Sequence, residues 1–174
     1  MELFFQILAY TLPALLVFVV VVVFMNKFYK EEDARRRYLL VKESQKTTLP
    51  IRLTAYERMV LFLERISPDS LMVRMHDNTL TALQFHASLL TAIRAEYEHN
   101  VAQQVYISDE AWNMVKNAKE SIVQMINACA AKVPPEAPSG ALANVILEIY
   151  NGSDESPTLL AISYLKNEIK KYFA

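Results

Sequence analysis

The hydrophobic pattern of the chain begins with a run of 23 residues without a charge, from Leu3 to Met25. Sixteen of the 23 are Leu, Ile, Val or Phe, and each such residue favours bilayer insertion by roughly 0.3–0.6 kcal/mol. As a helix, the run reaches about 35 Å, slightly more than a hydrocarbon core of about 30 Å. The pattern predicts a transmembrane anchor over residues 1–26.

The residues that flank this run predict its orientation. Glu2 precedes the run and no site of small residues follows it, which is the reverse of a cleavable signal peptide. Basic residues follow the run, and such residues concentrate on the cytoplasmic side of a membrane. They are Lys27, Lys30, Arg35, Arg36 and Arg37. We therefore expect a single-pass protein of the bacterial inner membrane, with its N-terminus outside and residues 26–174 in the cytoplasm.

Residues 27–48 have the pattern of a charged helical stalk. Three acidic residues each precede a basic residue by four positions, an orientation that stabilises a helix by about 0.2–0.5 kcal/mol per pair. The pairs are Glu31 with Arg35, Glu32 with Arg36, and Asp33 with Arg37. Ala34, Tyr38 and Val41 form a thin apolar seam that could contact the rest of the protein or a second copy. Pro50 should end this helix, because the residue before a proline disfavours the α conformation.

Beyond the stalk, apolar residues recur with helical spacing between prolines. The pattern predicts an all-α fold: a helical core over residues 49–133, and a C-terminal helical hairpin over residues 134–174 that follows a proline-rich linker. Four or five helices are expected in this cytosolic bundle. They cover residues 50–66, 81–104, 108–133, 140–150 and 156–172. Leu83, Leu90 and Ile93 are expected to face inward on the second of these helices, and Leu160 is an apolar position of the last.

Two short segments allow a second interpretation. Residues 71–75 and 105–107 could be extended and could pair as a two-stranded ribbon. Such a ribbon is marginal without a wider sheet. The all-α interpretation therefore stands ahead of it.

Composition excludes several classes of function. Residues 26–174 contain 18 acidic and 18 basic side chains, so they are formally neutral and lack the basic patch that nucleic acid binding needs. The single cysteine, Cys129, lies in an apolar helical stripe and is expected to be a small core residue. With only two glycines, Gly140 and Gly152, the chain has no glycine-rich phosphate loop. No cofactor is expected.

The sharpest candidate for chemistry is the pair Glu96 and His99. This Glu-x-x-His spacing holds metal ions in ferritin-like bundles, but such sites need two pairs and two further glutamates, and the chain has one pair. Glu96 and His99 are therefore weak metal candidates. The same helix end carries a polar patch that could bind a partner, although a solvated face is the default interpretation. The patch consists of Glu96, His99, Asn100, Gln103, Gln104 and Tyr106.

Two stretches carry a resemblance to a known family. They are Leu49-Pro50-Ile51-Arg52-Leu53-Thr54-Ala55-Tyr56-Glu57-Arg58-Met59-Val60-Leu61-Phe62-Leu63-Glu64-Arg65-Ile66, and Glu96-Tyr97-Glu98-His99-Asn100 running to Ser108-Asp109-Glu110-Ala111-Trp112. The chain resembles an uncharacterised family of small single-pass membrane proteins from the Bacteroidota, with a cytosolic helical domain. The resemblance covers the chain up to about Val133 and implies placement in the bacterial inner membrane, but no functional residue.

These patterns favour a non-catalytic, membrane-tethered helical adaptor or accessory subunit of an envelope-associated complex. Its expected partners are the lipid bilayer and a protein, or further copies of the chain. Two alternatives remain: a self-assembling homo-oligomer that organises the membrane, and a metal-dependent enzyme.

Overall fold

The structure is a computed structural model that describes the backbone of residues 1–152 and 155–171, and the side chains of these residues except 3–14, Ala34 and Gln45. The described residues form helices and contain no strand, which confirms the predicted all-α class. A short 3-10 helix over Val101–Val105 joins two of the α-helices. The α-helices are α1 (Glu2–Ile66), α2 (Pro68–Met75), α3 (Ala82–Asn100), α4 (Asp109–Ala130), α5 (Ser139–Asn151) and α6 (Pro157–Lys170).

The chain divides into two compact units, Met1–Leu49 and Pro50–Ala174. The first unit is helical, and its described apolar side chains are exposed except Leu49, which is half-buried. Tyr38 and Val41 of the predicted seam are among the exposed ones. One of the three predicted charge pairs is formed among the described side chains: Arg36 Nε lies 3.3 Å from Glu32 Oε1.

The predicted membrane anchor lies only partly within the described residues. The side chains of residues 3–14, the first half of the predicted span, lie outside them. A search restricted to the described residues finds no helix with a stretch long and apolar enough to cross a bilayer.

The expectation that a helix ends before Pro50 is wrong, because α1 continues without interruption to Ile66. A proline inside a helix lacks one hydrogen-bond donor and costs about 3 kcal/mol. The residues that follow it offset this cost by packing: Ala55, Met59 and Phe62 are buried in the core of the second unit. Tertiary burial therefore overrides the local preference.

Each helix of the second unit contributes to one hydrophobic core. Within this unit, α4 packs most extensively against α6, and α3 packs against both α5 and α4. Cys129 is fully buried in the core, as predicted. The largest fully buried side chains are Phe62, Phe85, Met59, Leu63, Ile66, Leu71, Leu89, Ile93, Ile122, Ile126, Leu142 and Ile146.

The alternative of a β-ribbon is wrong. Residues 71–75 belong to α2, which begins at Pro68, and Val105 ends the 3-10 helix. Proline is favoured at the first helical position, and Leu71 and Met72 are buried from a helix, so packing selects the helical form of this apolar segment. The single helix predicted over residues 81–104 is in fact α3 followed by the 3-10 helix.

Two leucines that the sequence pattern placed on the apolar faces of their helices are exposed to solvent. Leu83 is 58% exposed and Leu160 is 46% exposed. On α3 the buried apolar positions are Ala82, Phe85, Leu89 and Ile93, at steps of three and four residues. Leu83 follows Ala82 by one residue, a rotation of about 100° that turns it away from this stripe.

The proline-rich linker pairs with the segment that enters α3. The backbone N–H of Ala82 donates to the carbonyl of Ala137 (2.7 Å), and the N–H of Ser139 donates to the carbonyl of Leu80 (3.1 Å). The N–H of Leu83 also donates to the carbonyl of Pro135 (3.1 Å). The first N–H groups of a helix have no partner within the helix, so the linker satisfies two that α3 leaves open. The Asp77 carboxylate accepts from the hydroxyl and the backbone N–H of Thr79, and these bonds lower the pKa of Asp77.

Replacing Ser139 by alanine should destabilise the protein by about 0.5–1.5 kcal/mol, the net contribution of a typical hydrogen bond. Ser139 is fully buried, and its hydroxyl donates to the carbonyl of Asp77 over 2.7 Å. Urea unfolding of the full chain, followed by the fluorescence of its single tryptophan, Trp112, measures the change. The matched control is Ser163→Ala on the exposed face of α6, and equal effects of the two variants would contradict the prediction.

Candidate functional site

Arginines hold the first residue of the predicted polar patch. Arg65, near the end of α1, places its Nη2 atom 2.8 Å from Glu96 Oε1. Arg74 of α2 places Nη1 at 3.8 Å from the same oxygen. The Glu96 side chain is largely shielded from solvent. Glu96 therefore joins α3 to α1 and α2.

A third arginine holds the next two residues of the patch. Arg58 Nε donates to Asn100 Oδ1 (3.3 Å), and Arg58 Nη2 lies 2.9 Å from His99 Nε2. A guanidinium group has donors only, so His99 Nε2 accepts this bond with its lone pair. Asn100 is buried and its Nδ2 donates to the carbonyl of Glu96 (2.8 Å).

This arrangement does not suit a divalent cation at Glu96 and His99. Glu96 Oε1 and His99 Nε2 already bond to guanidinium groups, whose positive charge opposes a metal ion in the same place. In the described part of the chain, no group of three or more His, Cys, Asp or Glu side chains lies together in a way that could hold a metal.

The remaining residues of the patch lie at its outer edge. Gln104 and Tyr106 are exposed, and Gln103 is half-buried. The Tyr106 carbonyl accepts a hydrogen bond from Arg52 Nε (3.1 Å). The patch thus divides into an inner part that joins helices and an outer part that faces solvent.

A second surface feature of this unit is an apolar groove between the last turns of α1 and α6. Its volume is about 390 Å³. Leu61, at 55% exposure, is the most open apolar side chain on its edge. We call this feature the α1–α6 groove. It is lined by Leu53, Tyr56, Glu57, Val60, Leu61, Glu64, Leu165, Lys166 and Ile169.

Charged side chains frame the α1–α6 groove on both sides. Glu57 and Glu64 lie on the α1 side, and Lys166 lies on the α6 side. All three residues are exposed. None forms a salt bridge with the residues that the structure describes, so their charges are available to a molecule in the groove.

The other polar clusters of this unit have structural roles. Ser156 caps α6, and its hydroxyl lies 2.6 Å from Tyr150 Oη and 3.0 Å from Thr158 Oγ1. Lys119 Nζ lies 4.2 Å from the centre of the Tyr97 ring, a cation–π geometry, and 2.8 Å from the carboxylate of its neighbour Glu120.

The Cys129 thiol should be protected from alkylation in the folded protein by a factor on the order of 100 or more, because reagents reach it only when its surroundings open. Desolvation by burial raises the pKa of this thiol. Below the pKa of the thiol in the unfolded chain, both states are protonated and this group does not change the stability of the protein. As the pH rises beyond that value, the thiol of the unfolded chain ionises more readily than that of the folded chain, so the stability falls. Iodoacetamide labelling in buffer and in urea measures the protection.

The control for this labelling is an exposed thiol on the same chain. Ser163→Cys on α6 should react at the rate of a free thiol, since residue 163 is exposed. Equal reaction rates at residues 129 and 163 in the folded protein would contradict the burial of Cys129.

Sequence reasoning found the patch but missed its arginines and missed the α1–α6 groove. Arg58 and Arg65 are seven residues apart, a spacing that places them on one face of α1. That spacing was the signal in the sequence from which these arginines could have been found. The apolar residues from Leu53 to Ile66 form a stripe too wide for a single buried face, and the groove is the open second side of that stripe.

Comparisons with known proteins place the chain in a family. No curated protein and no solved structure matches it. The model of a family of unknown function, DUF7935, matches residues 2–172, nearly the whole chain. The protein therefore belongs to the DUF7935 family.

Proposed function

We propose that this protein is a membrane-tethered, non-catalytic helical adaptor of an envelope-associated assembly. The observation that carries the proposal is the exposed α1–α6 groove, because an apolar surface that no described residue covers is typical of a binding site.

The tether rests on the apolar run from Leu3 to Met25 and on the basic residues that follow it. We propose that this run crosses the bacterial inner membrane, with its N-terminus outside and the second unit in the cytoplasm. The family resemblance to single-pass proteins of the Bacteroidota supports this placement. A groove on a tethered domain would gather a partner at the membrane surface.

Cross-linking of the full-length protein in its native membrane tests the adaptor role. A C-terminal tag recovers the protein, and mass spectrometry identifies what is attached. A stoichiometric protein partner that Leu61→Glu removes and Leu83→Glu keeps would support the proposal. The two leucines have nearly equal exposure, and only Leu61 lies in the groove.

Self-assembly is the second candidate, favoured by the exposed Tyr38 and Val41 on the first unit. Recovery of cross-links between copies only, insensitive to Leu61→Glu, would replace the adaptor with this candidate. Recovery of the bare monomer would overturn both.

A further inference from the structure

We infer that the α1–α6 groove receives an amphipathic helix of a partner protein, with two basic residues seven positions apart on the flank that faces α1. The inference rests on the proposed adaptor function and adds to it the chemistry of the partner. A helix laid into an apolar groove is a common mode of recognition, in which residues at positions i, i+3, i+4 and i+7 supply the anchors.

The dimensions of the groove suit a short helix. Its α1 side extends from Leu53 to Glu64, which is about 16 Å at 1.5 Å per residue and equals about three helical turns. Its apolar positions come from both helices, with Leu53 and Val60 on α1 and Ile169 on α6. A partner helix of three turns would therefore cover apolar side chains along its full length.

The charges around the groove specify the partner's flanks. Glu57 and Glu64 are seven residues apart, so they stand about two turns, or roughly 10 Å, apart on one side. A helix that lies along α1 presents residues i and i+7 at the same separation, and Lys or Arg at these positions would pair with both glutamates. Lys166 on the opposite side favours an acidic residue on the other flank.

The same charges disfavour other occupants. Two glutamates repel the phosphates of anionic lipid headgroups and of nucleic acids, and charge complementarity of this kind selects partners at an interface. A helix with an acidic flank toward α1 would meet the same repulsion. The groove thus selects by charge sign as well as by apolar surface.

Two synthetic helical peptides of about 14 residues test the inference. Both carry leucines at positions i, i+3, i+7 and i+10. One carries lysines seven positions apart on one flank and a glutamate on the other, and its counterpart carries the opposite charges. Fluorescence anisotropy measures their binding to the full chain in phosphatidylcholine nanodiscs at low salt, with empty nanodiscs as the background.

We expect the first peptide to bind about tenfold more tightly than its counterpart, as two exposed charge pairs change from attraction to repulsion. The double variant Glu57→Lys with Glu64→Lys should reverse this preference. The control Glu98→Lys with Glu136→Lys makes the same change in net charge at exposed positions elsewhere and should keep the preference. Leu61→Glu should weaken both peptides, and Leu83→Glu should weaken neither.

Equal binding of the two peptides, or a preference that the double variant leaves unchanged, would overturn the inferred partner. Binding of neither peptide would also overturn the inferred partner and point to another surface. If unlabelled copies of the chain displace the peptides and bind more tightly than either peptide does, the occupant is a second copy of the chain. These outcomes leave the adaptor role intact if native cross-linking yields a partner. Absence of a partner in that experiment overturns the adaptor itself.

Discussion

Replacing Phe62 by alanine should lower the free energy of unfolding by about 3–5 kcal/mol, the range for a buried phenylalanine cut to alanine. The Phe62 side chain is 1% exposed, and its ring centre lies 6.1 Å from that of Tyr97. Tyr97 in turn stacks on Trp112, with ring centres 5.6 Å apart. The variant would open a cavity beside this aromatic stack, and domains of this size are stable by only about 5–15 kcal/mol.

Urea unfolding followed by Trp112 fluorescence measures this loss directly, because Trp112 belongs to the same stack. The control is Tyr106→Ala, which removes a partly exposed aromatic ring and keeps the carbonyl that Arg52 contacts. We expect the control to cost well under half as much as Phe62→Ala. A loss below about 1 kcal/mol at Phe62 would contradict its place in the core.

The proposed membrane tether predicts that arginines at positions 20 and 22 detach the protein from the membrane. Each Val→Arg change makes insertion less favourable by about 3 kcal/mol, so the two changes together cost about 6 kcal/mol. On the same scale, the apolar residues of the run together favour insertion by about 5–10 kcal/mol. In carbonate extraction of cell membranes, we expect the wild-type chain in the pellet and the Val20→Arg, Val22→Arg variant largely in the supernatant.

The matched control places the same charges in the stalk. Leu39→Arg with Val41→Arg lies beyond the proposed span and should leave the protein in the pellet. Extraction of the wild-type chain by carbonate, or retention of the Val20→Arg, Val22→Arg variant, would remove the tether from the proposed function. The α1–α6 groove would still be available for a partner.

Much of the fold was predictable because its signals are local. Ser108 was expected to begin a helix, and its hydroxyl does accept the N–H of Ala111 over 3.1 Å at the start of α4. Ser67 separates α1 from α2 and is followed by Pro68, and a residue before a proline disfavours the α conformation. Capping residues and prolines act through neighbouring backbone groups, so their effect is readable from the sequence wherever packing does not oppose it, as it does at Pro50.

The candidate site was predictable only in part, because its contacts join distant positions. The polar patch was found from its composition, yet the partners of Glu96, His99 and Asn100 lie 22–42 positions away, on α1 and α2. Nothing near residue 96 in the sequence indicates which arginines approach it. The α1–α6 groove is harder still, since it exists only where residues 53–64 and 165–169 come together.

By itself, the sequence determined the all-α class, most helix boundaries, the burial of Cys129 and the charge pattern of the stalk. The tertiary structure decided three features: the continuation of α1 through Pro50, the helical state of residues 71–75 and the exposure of Leu83. Each depends on which apolar side chains pack together in one core. Ordinary helix propensities and caps contribute about 1 kcal/mol per residue and a proline inside a helix costs about 3 kcal/mol. Burial of each large apolar side chain contributes about 1.5–3 kcal/mol, so several buried side chains together outweigh the local preference.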